Sequence, residues 1–126
     1  YIARQNFMRA RSLIQHNQYQ QAVQFLENAL ELEENNPEYN VELGRVLTRN
    51  PRRRDDAEKY LRRGLELDPT VIEGHVALAD LFAKRDRPDD AIAVLTEALN
   101  WHPGHLELTR RLEELGVGKG RGLFGR

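Results

Sequence analysis

The chain has 126 residues, of which 40% are hydrophobic and 31% are charged, and its formal net charge at pH 7 is -1. The absence of cysteine excludes disulfides and thiolate metal sites, and no apolar run approaches the ~20 residues of a membrane span. A near-neutral charge does not supply the uncompensated basic field from which nucleic-acid binding draws most of its affinity. The length fits one domain.

Apolar residues recur at intervals of three and four along the chain, which predicts helices and no strands. We predict seven helices, at about 3–16, 19–33, 37–49, 53–67, 71–84, 88–100 and 105–115. Asn36 and Asn50 are each followed by proline, a pair that suits a helix cap and first helical position. The last stretch, "GVGKGRGLFGR", is rich in glycine and predicts a flexible tail at 116–126.

Three stretches of the chain align in register: "QYQQAVQFLENALELEENNP", "RRRDDAEKYLRRGLELDP" and "DRPDDAIAVLTEALNWHP". Small residues recur in these stretches and in the helices before them at steps of 34 or 35 residues, at Ala22, Ala57 and Ala91, at Ala29, Gly64 and Ala98, and at Ala10, Gly44 and Ala79. Because a larger side chain would separate two crossing helices, these positions predict close helix crossings. The second unit has one additional residue, inside "TRNPRRR".

Helical hairpins of this length and pattern resemble the tetratricopeptide repeat family over residues 3–103. The resemblance is carried by "ELGRVL" at 42–47, "ALADLF" at 77–82, "LELDP" at 65–69 and the first alanine set. It implies an all-α, right-handed superhelical stack of antiparallel helix hairpins. Three units, at about 3–36, 37–71 and 72–105, and a capping helix at about 105–115 would form a domain over residues 1–115.

The resemblance also implies a non-catalytic scaffold for protein–protein interaction, with a peptide or partner helix bound in the concave groove that the first helices form. The groove positions carried over from the family are Arg4, Phe7, Arg11, Gln15, Glu38, Val41, Glu42, Arg45, Thr48, Arg49, Glu73, Val76, Ala77, Asp80, Ala83 and Lys84. Among them, Phe7, Val41 and Val76 are expected to form an apolar strip. We expect the chain to be a cytoplasmic module of a larger protein, since it begins with Tyr1 and any targeting signal would lie outside it.

Some family members grip the acidic C-terminal peptide of large chaperones through a carboxylate clamp of basic and amide side chains. At the clamp positions this sequence has Phe7, Arg11, Glu42, Glu73 and Ala77. The two glutamates would repel a terminal carboxylate, so we do not expect a chaperone peptide as the partner.

Two other functions remain open at this point. Arg52, Arg53 and Arg54 lie on the lengthened turn of the second unit and, with the basic tail, are a candidate surface for nucleic acid or another anionic polymer. Downstream of them, ion pairs of Asp55 with Lys59 and of Glu58 with Arg62 are expected on a solvated helix face. Alternatively, copies of the chain could stack end to end into homo-oligomers, through the helix of Arg9 and the cap.

We expect no catalytic residue, no metal and no cofactor. The sequence contains no glycine-rich phosphate loop, and no serine or cysteine nucleophile with a positioned base. His102 and His105 lie three residues apart on a turn without further ligands of suitable type, so a zinc site is not expected. Trp101 is expected to lie beneath the capping helix. On that helix, the inner side is expected to consist of Leu106, Leu108, Leu112 and Leu115.

Overall fold

The computed structural model describes residues 1–117, and over this range the chain is entirely helical. The helices are α1 (Ile2–Gln15), α2 (Tyr19–Leu32), α3 (Pro37–Leu47), α4 (Arg54–Leu67), α5 (Ile72–Lys84), α6 (Pro88–Trp101) and α7 (Leu106–Glu114). The predicted all-α class is confirmed, and each predicted boundary lies within two residues of the observed one. None of the described helices is long and apolar enough to cross a membrane.

The helices pack as consecutive hairpins, α1 with α2, α3 with α4 and α5 with α6, and α7 packs on α6. Contacts of α2 with α3, of α4 with α5 and of α3 with α5 join one hairpin to the next. The buried residues form one continuous apolar cluster that runs from Ala3 in α1 to Leu112 in α7. α3 lies at the centre of this stack and buries more of its side chains than any other helix that the structure describes.

The crossing of α3 and α4 depends on two glycines, as predicted. A Cβ atom added to Gly44 would lie 2.6 Å from Cγ of Leu61, and one added to Gly64 would lie 2.5 Å from Cγ2 of Val41. The Cβ atom added to Gly64 would also lie 3.1 Å from the carbonyl oxygen of Pro37, which is backbone and cannot rotate away. The two helices therefore approach more closely than any side chain would allow.

The additional residue of the second unit changes the turn within its hairpin. In the first and third hairpins the turn contains a non-glycine residue in the left-handed region, Asn17 at φ 63° and Asp86 at φ 60°. In the second hairpin a short 3-10 turn at Pro51–Arg53 replaces that conformation, and the side chain of Asn50 caps it by accepting a hydrogen bond from the backbone of Arg52. The longer turn thus avoids the strained backbone of the other two.

Buried polar side chains close the turns between units. Asn40 donates to the carbonyl oxygens of Glu34 (3.1 Å) and Asn36 (2.8 Å). His75 occupies the same register 35 residues later, and its Nε2 donates to the carbonyl oxygen of Pro69 over 2.8 Å. Both side chains are at most 3% exposed, so each satisfies backbone acceptors that water reaches poorly.

The charges of α4 connect the second hairpin to the third. Glu58 pairs with Arg62 over 2.9 Å, as predicted, and also lies 3.2 Å from Arg87. The predicted pair of Asp55 with Lys59 is wrong, because the fold brings Arg85 to within 2.7 Å of Asp55. An arginine from the next hairpin, which helical spacing alone does not reveal, takes the place of the local lysine.

The first two residues of the predicted tail, Gly116 and Val117, are described by the structure. Gly116 has φ 97°, and the backbone N–H of Val117 donates to Leu112 over 3.0 Å, so these two residues complete the end of α7. The remainder of the predicted tail lies outside the described residues.

We expect Gly64→Ala to lower the free energy of unfolding by ~1–3 kcal/mol, because the new methyl group overlaps Val41 and Pro37. This loss would outweigh the ~1 kcal/mol by which alanine favours a helix over glycine. Urea unfolding of the variant measures it. In a Val41→Ala background, Gly64→Ala should lower the free energy of unfolding by less than it does in wild type. Equal losses in both backgrounds would contradict the steric explanation.

We expect His75→Leu to lower the free energy of unfolding by about 1–3 kcal/mol, because it leaves the carbonyl oxygen of Pro69 without its donor. His75→Asn should retain more stability, since Asn40 satisfies the same role in the preceding unit. Thermal and urea unfolding of both variants distinguish a hydrogen-bonding role from simple filling of space, for which leucine would be the better replacement.

Candidate binding groove

Two adjoining cavities form one groove on the face where the first helices of the hairpins, α1, α3 and α5, lie side by side. The larger has a volume of about 910 Å³ and is bordered by α3, α5, α7 and the start of α2. The smaller, of about 620 Å³, extends from it toward Arg11 of α1, and the two share Glu42, Arg45, Ile72 and Glu73. We use "the groove" for both cavities together.

Most of the groove positions predicted from the sequence do line it. The larger cavity contains Glu42, Arg45, Thr48, Arg49, Glu73, Val76, Ala77, Asp80, Ala83 and Lys84. The smaller adds Arg11, Glu38 and Val41. Arg4 lies beyond this lining on α1, where its guanidinium reaches Glu38 over 2.8 Å.

The predicted apolar strip is wrong in two of its three members. Phe7 is 0% exposed and stacks against Tyr39 with ring centroids 4.9 Å apart, so it belongs to the interface of α1 and α3. Val41 is 3% exposed because it packs under Gly64 at the α3–α4 crossing. Only Val76 keeps a half-buried position on the groove floor.

The groove floor also contains apolar residues that were not among the groove positions predicted from the sequence. Ile14, Ile72 and Tyr19 are half-buried and line the larger cavity beside Val76 and Ala77. Ile14 and Tyr19 border the first turn and Ile72 begins α5, so they lie at helix ends rather than on the mid-helix positions that the family pattern indicates. Their apolar character next to exposed turns is the signal by which they could have been found.

Several charges in the middle of the groove are already paired. Arg45 contacts Glu42 over 3.0 Å, and Arg111 of α7 contacts Asp80 of α5. Arg49 instead stacks over the ring of Tyr19, 4.4 Å from its centroid. The capping helix thus supplies a groove residue, Arg111, that the sequence did not predict.

Two carboxylates in the groove have opposite pKa shifts. Desolvation by the surrounding walls raises the pKa of Asp80 above its ordinary value, and the charges of Arg111 and Lys84 offset this only in part. Hydrogen bonds from the side chain and backbone of Thr70 lower the pKa of Asp68. Asp80 therefore carries a negative charge that its own neighbours do not fully stabilise.

His102 and His105 lie at the turn between α6 and α7, as predicted from the sequence. His102 donates from Nε2 to the carbonyl oxygen of Thr70 over 2.7 Å, and the side chain of His105 caps α7. Leu108 and Leu112 are buried as predicted, but Trp101 is 49% and Leu106 is 85% exposed. Both predicted inward positions are wrong. Leu106 is two residues, or about 200° around the helix, from the buried Leu108, so the two lie on opposite faces of α7.

Arg52, Arg53 and Arg54 do not form a continuous basic surface. Arg53 lies 3.0 Å from Asp56 and 3.6 Å from Glu27, and the hydrogen bond to Asp56 raises its pKa. Arg54 is half-buried at the start of α4, so only Arg52 of the three is fully exposed. This arrangement weakens the anionic-polymer hypothesis.

Within residues 1–117, no three histidine or acidic side chains are placed to hold a metal ion together. The groove has an apolar floor, paired charges at mid-width and further charges at the helix ends.

We expect wild type to lose free energy of unfolding relative to Asp80→Asn as the pH rises from about 3 to about 7. A folded-state pKa above the unfolded value means that the stability contribution is present at low pH and is lost as the pH rises through the folded pKa. Asp68→Asn is the matched control with the opposite sign, because wild type should gain relative to it over the same range. Urea unfolding at several pH values measures both, and parallel curves would contradict the assignment.

The family profile of the tetratricopeptide repeat matches this sequence at residues 13–81 and 51–114. The comparison with curated proteins found no match. Among solved structures, the first TPR domain of Spaghetti (RPAP3) bound to the HSP90 peptide SRMEEVD has a TM-score of 0.82 at 13% identity, over 91% of this chain and 93% of that one.

The Arabidopsis OM64 TPR domain has a TM-score of 0.81 at 16% identity, over 90% of this chain and 93% of that one. YrrB, described as a TPR protein with an unusual peptide-binding site, has a TM-score of 0.81 at 21% identity, over 90% of this chain and 58% of that one. These structures share the fold, and the profile covers well over half of the sequence. The chain belongs to the tetratricopeptide repeat family.

Proposed function

We propose that the chain binds a peptide or helix of a partner protein in the groove and performs no chemistry itself. The tetratricopeptide fold generally serves as a non-catalytic scaffold for protein–protein interaction. The observation that carries the proposal is the groove itself, whose larger cavity has a volume of about 910 Å³ and an apolar floor beside charged positions. Such a surface offers a segment both desolvation and polar positioning.

The neighbouring structure of the RPAP3 domain holds an acidic chaperone peptide, but the same ligand does not suit this chain. Glu42 and Glu73 line the groove here, and Phe7 is buried where a clamp would need an exposed cation. Because like charges raise the cost of binding an acidic carboxyl terminus, the proposed partner is a different segment.

The groove can be tested by blocking it. Ala83 is an exposed residue of α5 that lines the larger cavity, and Ala93 is an exposed alanine on α6 outside it. Peptides selected from a displayed library on the wild-type protein would be measured by fluorescence anisotropy. We expect Ala83→Trp to weaken binding at least about tenfold, equivalent to ~1.4 kcal/mol, because the indole fills the cavity.

Ala93→Trp is the matched control and should leave the affinity unchanged. Circular dichroism and thermal unfolding confirm that both variants keep their helices. If both variants bind the selected peptides like wild type, the groove is not the binding surface and the proposal fails.

A further inference from the structure

The charges along the groove are sorted by sign across its width. Three helices that border the groove, α3, α5 and α7, each have a glutamate as their second residue. We call these residues, Glu38, Glu73 and Glu107, the acidic edge. At the opposite ends, Arg49 follows α3 and Lys84 is the last residue of α5, and we call these the basic edge. All five residues line the groove.

The helix macrodipole favours acidic residues at the first turn of a helix and basic residues at the last turn. It does not explain why some of these charges have no ion-pair partner. Among residues 1–117, Glu73, Arg49 and Lys84 form no ion pair, although paired charges lie beside them. At mid-width Arg45 is neutralised by Glu42, and Arg111 by Asp80. On the acidic edge Glu38 pairs with Arg4 and Glu107 with Arg111, so the edge charges without an ion pair in residues 1–117 are Glu73 on one side and Arg49 and Lys84 on the other, of opposite sign. Arg11, which borders the smaller cavity, stacks over the ring of Phe7.

The distance between the edges fits a helix. Glu38 and Arg49, like Glu73 and Lys84, are separated by eleven residues, or about 16 Å along a helix axis. A helix with its side chains is about 10–12 Å wide. It can therefore lie across α3 and α5, with its apolar stripe on Ile72, Val76 and Ala77 and one flank at each edge.

Resting on the proposed function, we propose that the groove binds an amphipathic partner helix in one direction, which the two charged edges select. The partner carries acidic residues on the flank that faces Arg49 and Lys84, and basic residues on the flank that faces Glu38, Glu73 and Glu107. Turning this helix end for end while keeping its apolar stripe on the floor exchanges its two flanks. Like charges then meet at both edges, which disfavours the reversed orientation.

Three synthetic helices of about 14 residues, each ~21 Å long, test this directly. Each has a leucine stripe and a benzophenone group at its amino terminus, and all three have one composition. The first has glutamate on one flank and lysine on the other, the second exchanges these flanks, and the third mixes both residues on both flanks. Cross-linking to the protein, followed by mass spectrometry, locates the amino terminus of each bound helix.

We expect the first and second helices to cross-link at opposite ends of the groove, one near α1 and the other near α7. The third should bind about three- to tenfold more weakly, because its flanks meet the edges with mixed signs. The difference should shrink at high salt, since exposed charges are screened. Glu73→Lys combined with Lys84→Glu should spread the cross-links of the first helix over both ends.

The matched control is Lys59→Glu combined with Glu97→Lys, which exchanges the same charges on α4 and α6, outside the groove, and should leave the cross-linked end unchanged. If the first two helices cross-link at the same end, or at both ends alike, in a manner blocked by Ala83→Trp, the directional inference is overturned while the proposed groove stands. If no helix binds while the library peptides still bind in a manner blocked by Ala83→Trp, the helix inference falls and the proposed groove stands. If Ala83→Trp affects neither the helices nor the peptides, the groove proposal falls as well.

Discussion

The close contact of α3 with α4 is the constraint on which the rest of the structure depends. Gly64 meets the backbone of Pro37 and the side chain of Val41, and Gly44 meets Leu61, so the two helices are separated by little more than their own backbones. This contact draws α3 into the centre of the stack. From there it packs against α1 through Tyr39 and toward α5 through Val41 and Gly74. α3 is also the middle wall of the groove.

Some charged residues join neighbouring hairpins, and others in the groove form no ion pair within residues 1–117. On the outer helices, Glu58 pairs with Arg62 of its own hairpin and with Arg87 of the next. Asp55 pairs with Arg85. These partly exposed pairs contribute modestly to stability one by one, but they join neighbouring units. In the groove, Arg45 pairs with Glu42 and Arg111 with Asp80, whereas Glu73, Arg49 and Lys84 form no ion pair within residues 1–117.

Asp80 shows how the capping helix connects stability with recognition. Its carboxylate faces Arg111 of α7, yet desolvation outweighs the favourable charges and raises its pKa. The cap therefore does more than cover the end of an apolar stack, because it completes one wall of the groove and sets the electrostatics of its neighbour.

The sequence by itself determined the seven helices, their register and the positions of the tight crossings. These follow from local properties: apolar spacing at three and four residues, caps such as Asn36 before Pro37, and the absence of a Cβ at Gly44 and Gly64. It also identified most of the groove lining, because equivalent positions in equivalent units face the same way.

Only the tertiary structure decided which of those positions remain exposed. Phe7 and Val41 lie at groove positions by register, but close packing of neighbouring helices buries both. Trp101 and Leu106 are apolar, yet both are exposed in the folded stack. The partners of Asp55 and Asp80 likewise come from helices about thirty residues away. Burial and long-range pairing depend on distances between helices, which a local pattern does not contain.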